Sequence, residues 1–208
     1  MVICRCVLTG FGSFGSIERN PTEALIQSLS LEDSSTVTYH TSIIKVSQQH
    51  VDAWMRDTFQ TLVEAAKDRE EDAIVFIHLG VSETSSEIKL ERYAYNECDF
   101  RIPDVTGAQP RHVAIHEHKP WNEREETELE VMDIAMALEG TVGCVISEDP
   151  GRYVCNYLYY RSLIGCQESR YVGLKLDSLF VHVPKEDCLP LDELKTRILS
   201  LIEHILSI

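Results

Sequence analysis

The chain has 208 residues, is 44% hydrophobic and carries a formal net charge of -15 at neutral pH. That length suffices to bury a substantial core, and residues 1–208 are expected to form a single domain. The acidic excess, unbroken by any lysine or arginine stripe, would repel a phosphate backbone, so nucleic acid and anionic membrane surfaces are excluded as partners.

The apolar run Ile3–Thr9 is entered at once and reads as a first strand, too short and too uncharged in its lead to be a signal peptide. Further β-rich runs are Thr36–Val46, Ala73–Leu79, Val142–Ser147 and Ser178–Val183. Helical stripes separate them. Asn20-Pro21 predicts an N-cap and first-turn proline, with a helix through Leu25 and Leu29. Val51, Trp54, Met55, Thr58, Leu62 and Ala66 fall on one helical face, as do Leu191, Leu194, Ile198, Leu201, Ile202 and Ile205. The acidic run Glu123–Glu130 is expected to lead another helix as its solvated, dipole-favoured start, with Leu129, Met132, Ala135, Met136 and Leu138 on the buried side. Between Ile88 and Trp121 the pattern weakens into a long loop. The alternation predicts an α/β fold, with a mostly parallel sheet. Seven scattered cysteines, an odd number without a CxxC pair, read as reduced thiols in a cytoplasmic protein.

Gly10-Phe11-Gly12-Ser13-Phe14-Gly15 satisfies G-x-G-x-x-G after a predicted strand, which raises a nucleotide-dependent oxidoreductase as an alternative. The context opposes it. Ser16–Arg19 intervene before the helix signal, and Ile43-Ile44-Lys45-Val46 ends the next strand on a lysine where a ribose-binding carboxylate belongs. The two phenylalanines suggest instead a tight turn that brings both rings to a shared pocket, against the simpler reading that both plug the core.

Ser147 to Tyr157 follows a buried strand and opens a helix, with Asp149 and Pro150 as expected cap and first-turn residues. Cys155 then sits near a helix N-terminus, where partial positive charge favours a thiolate and free N–H groups can receive an oxyanion. The flanking glycines of a nucleophile elbow are missing. His182, in Phe180-Val181-His182-Val183-Pro184, lies near the carboxyl end of an apolar strand, where catalytic groups of open α/β sheets gather. His112, His116 and His118 lack a recognised ligand spacing, and no metal is expected. Glu91 ends the alternating segment Ile88–Glu91; its simplest reading is an exposed carboxylate or a partner of Arg92.

Taken together these segments resemble the pyroglutamyl peptidase I family of cysteine peptidases. The resemblance runs over Thr9–Gly15 with Asn20-Pro21, His78-Leu79-Gly80-Val81, Leu90–Asn96 leading to Arg101-Ile102-Pro103-Asp104, Gly151–Tyr157 with Tyr159–Leu163, and Phe180–Pro184. It implies a single-domain three-layer α/β/α sandwich around a twisted sheet and hydrolysis of the bond after an N-terminal pyroglutamyl (5-oxoproline) residue of peptides. It further implies Cys155 as nucleophile, His182 as general base and then acid, and Glu91 as the carboxylate that orients the imidazole. Arg101 is placed by it close to the reacting carbonyl, with Phe11, Phe14, Ile102, Tyr153 and Val154 around the lactam ring and Asn20 nearby. No cofactor is implied. The chain departs from the common pattern at Ser13, Pro150 and Tyr153, and residues 111–124 carry no landmark of the family. A silent relative kept as an interaction module is the remaining alternative, and it would ordinarily have lost one of the three reactive residues.

Overall fold

A computed structural model describes residues 3–69, 71–170 and 173–208. Its centre is a six-stranded sheet with strand order β2-β1-β3-β8-β4-β7, formed by β1 (Cys4–Phe11), β2 (Val37–Ile44), β3 (Ala73–Val81), β4 (Ile88–Glu91), β7 (Cys144–Ser147) and β8 (Lys175–Val183). All neighbours run parallel except β4 against β8. The central strands β1, β3 and β8 are buried along almost their whole length, as a sheet covered by helices on both sides requires. Val7, Phe11, Ile74, Phe76, Leu176 and Phe180 enter one core with α2 (Gln48–Trp54), α3 (Gln60–Asp68) and α5 (Val154–Glu168). The alternate residues Cys6, Leu8, Val75, Ile77, Leu179, Val181, Ile88 and Leu90 enter the other, with α1 (Pro21–Ser28), α4 (Val131–Ala137) and α6 (Leu191–Ser207). The α/β/α layering expected from the sequence is therefore present.

Asn20 caps α1 as its sequence indicates, accepting from the Thr22 N–H at 3.0 Å. The stripe from Val51 to Ala66 is real but not one regular helix: Met55–Phe59 form a π-helical turn between α2 and α3. Several expectations fail. Met132 and Met136 are 52% and 71% exposed rather than on the buried side of α4, and Ile88–Glu91 and Tyr93–Tyr95 are strands within the segment expected to be a long loop. Within Glu123–Glu130, residues Arg124–Glu126 form β6, paired antiparallel with β5 (Tyr93–Tyr95), and α4 begins only at Val131. Glu125 and Glu126 are taken up by Lys119 and Arg92, so tertiary ion pairs override the helix-start chemistry. Asp149 and Pro150 do not start α5 either, whose N-cap is Tyr153. Gly151 holds φ at +79°, a conformation that favours glycine, and lets the chain turn before the helix begins.

Candidate active site

Register assembles the site. On β8, Phe180 and His182 face the α5 side of the sheet. On β4, Lys89 and Glu91 share that face, because Ile88 and Leu90 point into the opposite core. In the antiparallel β4–β8 pair, Lys89 lies opposite His182 and Glu91 opposite Phe180. The Glu91 carboxylate thereby reaches back to His182, with Oε1 2.7 Å from Nδ1. Glu91 is 1% exposed and His182 8%, so the contact is shielded from water. Arg92, the other partner open to Glu91, turns instead to Glu126 at 2.6 Å.

Helix α5 supplies the third group. Cys155 is its second residue, and Tyr153 at the N-cap makes no capping hydrogen bond, so first-turn N–H groups beside the thiol receive no side-chain acceptor. Two α5 residues tie the helix to the strands below it. Tyr159 donates its hydroxyl to the Glu91 carbonyl at 2.8 Å. The Asn156 amide accepts from the Tyr95 N–H and donates to the carbonyls of Tyr95 and Glu97, so its hydrogen-bonding groups are engaged in place. Gly80, the β3 partner of His182, makes room for the Cys155 sulfur: a Cβ there would lie 2.6 Å from Phe180 Cζ and 3.0 Å from Cys155 Sγ.

Electrostatics separate this histidine from His78. Burial alone would lower the His182 pKa, but hydrogen bonding to Cys155 and Glu91, reinforced by their charges, raises it to about 9. His78, fully buried beside the Thr9 hydroxyl, is pushed down to about 3 and stays neutral. Among the thiols, burial raises Cys4 to about 11 and Cys98 to about 12, and Cys6 and Cys166 higher still. Cys155 is half-buried, and Cys188 lies on the surface. No disulfide links the cysteines.

A cavity of about 330 Å³ contains Cys155, His182 and Glu91 together with Phe14, Arg101 and Tyr153. The rings of Phe14 and Tyr153 lie 6.0 Å apart at 34°, forming an apolar wall. Arg101 forms an ion pair with Glu83, and Arg152 bridges Asp149 at 2.5 Å and Glu97 at 3.1 Å. The remaining pocket residues expected from the sequence lie outside this lining. Phe11 is 2% exposed because β1 continues through it in register with Ile44, which turns its ring into the core; the two phenylalanines do not share a pocket. Val154, the first residue of α5, is fully buried, and Asn20 serves as a cap and donates to the Gly12 carbonyl at 2.9 Å. Ile102 is exposed near Gly15. A larger cavity of about 600 Å³, between the π-helical turn, α5 and residues 115–118, contains none of the expected site residues. Glu83 and Lys89, not expected from the sequence, also line the smaller cavity. For Lys89 the signal was its position two residues from Glu91 in a strand.

Among the described residues, no cluster of three His, Cys, Asp or Glu side chains could hold a metal, and no helix is long and apolar enough to cross a membrane. His112 faces Glu97 at 3.0 Å, and His116 lies 3.7 Å from Glu168.

Comparison with known proteins identifies the family. The family model described as pyroglutamyl peptidase matches residues 4–200. The pyrrolidone-carboxylate peptidase of Thermococcus litoralis is 30% identical, over 86% of this chain and 76% of its own length. Pyroglutamyl-peptidase 1 of Mus musculus is 29% identical, over 97% and 90%. Among solved structures, the pyrrolidone carboxyl peptidase of Fervidobacterium islandicum superposes with a TM-score of 0.76 at 25% identity, covering 97% of each chain. That of Thermus thermophilus gives 0.74 at 25% identity, covering 96% of this chain and 99% of its own. This chain, with its buried carboxylate–imidazole pair beside a helix-start cysteine, belongs to the pyroglutamyl peptidase family.

Proposed function

We propose that the protein is a cysteine peptidase that hydrolyses the bond after an N-terminal pyroglutamyl residue of peptides, with Cys155 as nucleophile, His182 as general base and acid, and Glu91 as the residue that positions the imidazole. One observation carries the assignment: the buried 2.7 Å contact between Glu91 Oε1 and His182 Nδ1, in the same cavity as Cys155. With Nδ1 donating to Glu91, Nε2 is left to exchange a proton with the thiol. The thiolate attacks the pyroglutamyl carbonyl, α5 amides receive the oxyanion, and the imidazolium protonates the departing amine. Water, deprotonated by His182, then cleaves the thioester and releases pyroglutamate.

A lactam is neutral, flat and without an ammonium group. The Phe14–Tyr153 wall suits its flat face. Arg101, held by Glu83 at the rim, is assigned to the reacting carbonyl's side. The reading treats the protein as one domain and needs no cofactor.

The test is fluorophore release from a pyroglutamyl conjugate compared with leucyl and prolyl conjugates. Turnover of the pyroglutamyl conjugate alone is expected, because no carboxylate in the cavity is free of a basic partner to receive an N-terminal ammonium. Equal turnover of the leucyl conjugate would refute the reading.

A further inference from the structure

We propose that Lys89 reads the residue that follows the pyroglutamyl group, and that the enzyme favours substrates with an acidic side chain at that position. The inference rests on the peptidase reading above and adds to it a preference on the leaving side of the cleaved bond.

Three observations converge on Lys89. The first is its position. It pairs across the antiparallel ladder with His182, on the same sheet face, and lines the cavity that contains Cys155. Directly opposed residues of an antiparallel pair have Cβ atoms about 5 Å apart, so the lysine stem starts beside the imidazole.

The second is the side of the cleft that it occupies. Phe14 follows β1, and the strand order from there is β1-β3-β8-β4. At roughly 5 Å per strand, β4 lies about 15 Å from β1, with His182 on β8 between them. The lactam wall is therefore on the β1 side of the reacting thiol, and Lys89 is on the far side. His182 must deliver its proton to the departing amine, so the leaving residue extends toward β8 and β4, where the ammonium waits.

The third is charge. Each other charged side chain lining the cavity has an ion-pair partner: Glu83 with Arg101, Glu91 with His182, Asp99 with Arg111, and Asp149 with Arg152. Lys89 has none among the described residues, although the chain carries 34 acidic residues against 19 lysines and arginines. A half-buried, uncompensated ammonium at the leaving-group side is complementary to a carboxylate brought by the substrate. The carboxylates at the rim do not cancel it, since each is already neutralised by its own arginine.

Three C-terminally amidated peptides isolate the side chain: pyroglutamyl-Glu-Ala-amide, its Gln isostere and its Lys counterpart. The wild-type protein is expected to cleave the Glu peptide roughly two- to fivefold faster in kcat/KM than the Gln peptide, the range of a partly exposed charge pair, with the Lys peptide slowest. In Lys89→Gln the Glu/Gln ratio should fall to about one, and in Lys89→Glu the order should invert so that the Lys peptide leads. Loss of a merely structural lysine would not invert a charge preference. A wild-type Glu/Gln ratio of one, which needs no variant to fold, overturns the proposal, as does a Glu preference that survives in Lys89→Glu. A protein that cleaves a neutral pyroglutamyl conjugate but shows no acidic preference refutes only the role of Lys89; one that cleaves no pyroglutamyl substrate refutes the peptidase reading itself.

Discussion

The two walls of the cleft are built differently. On one side, His182 and Glu91 project from paired strands, are nearly sealed from water, and are fixed by register and by the Tyr159 hydroxyl on the Glu91 carbonyl. On the other, Phe14, Arg101 and Tyr153 project from loops or a helix cap and are held by a tilted ring contact and by exposed ion pairs. Strand register fixes relative positions closely, whereas exposed pairs contribute little individually. In the proposed mechanism proton transfer needs the closer tolerance and falls to the strand-built wall. Selection among peptides tolerates adjustment and, in the same mechanism, falls to the loops, with Lys89 proposed as the strand-borne exception.

The largest effect should come from removing the sulfur that lies between the walls. Cys155→Ala is expected to lower turnover of a pyroglutamyl conjugate by roughly 10⁴-fold or more, since neither wall can replace a nucleophile. Cys188→Ala, on the surface, should leave turnover close to the parent's, and Cys166→Ala, in the core, should act mainly on melting temperature. A fully active Cys155→Ala protein would end the cysteine-peptidase reading.

The next effect tests the strand-built wall alone. Glu91→Gln keeps the shape but removes a charge that raises His182, so turnover should fall by about 10- to 10⁴-fold, the span over which an orienting residue acts in triads. The pH profile sharpens the test. His182 is raised from 6.5 to about 9, so its protonated form stabilises the fold fully below pH 6.5, and that contribution is lost as pH rises through about 9. Without the Glu91 charge, burial should pull the imidazole pKa down, and the alkaline limb of kcat/KM should move toward neutral pH. An unchanged rate with an unmoved alkaline limb would remove Glu91 from the mechanism.

The same contrast explains what the sequence revealed. Strand positions were legible because alternation is a local property: Ala73, Cys144 and Lys175 begin strands within a few residues of the expected starts. His182 and Cys155 were legible as a strand end and a helix start. The partnership of Glu91 with His182 was not, because it depends on β4 running against β8 in an otherwise parallel sheet, a topological fact with no local signature. The start of α5 was misplaced for a related reason. Asp149 looks like a cap, but its carboxylate accepts from the Gly151 N–H and Arg152, and the chain turns at Gly151 before the helix begins after Tyr153. The acidic run at Glu123–Glu130 looks like a helix start in sequence because its partners, Lys119 and Arg92, are recognisable only once the fold brings them close.

The smallest of these effects belongs to the loop-built wall and concerns the two phenylalanines of the glycine turn. They look alike in sequence, yet Phe11 is sealed in the core whereas Phe14 is half-buried, lines the cavity and faces Tyr153. A ring packed against a bound ligand contributes about 1–3 kcal/mol, so Phe14→Ala should lower kcat/KM for a pyroglutamyl conjugate by roughly 10- to 100-fold. Its melting temperature should fall only slightly, because Phe14 touches the main core from one side. Phe11→Ala should do the reverse, at a cost of about 3–5 kcal/mol in stability, with nearly normal kinetics in whatever remains folded. Measuring kcat/KM and melting temperature on both variants therefore separates wall from core. If Phe14→Ala loses stability and keeps its kinetics, the loop-built wall does not contact the lactam, and the pyroglutamyl slot must be sought elsewhere in the cavity.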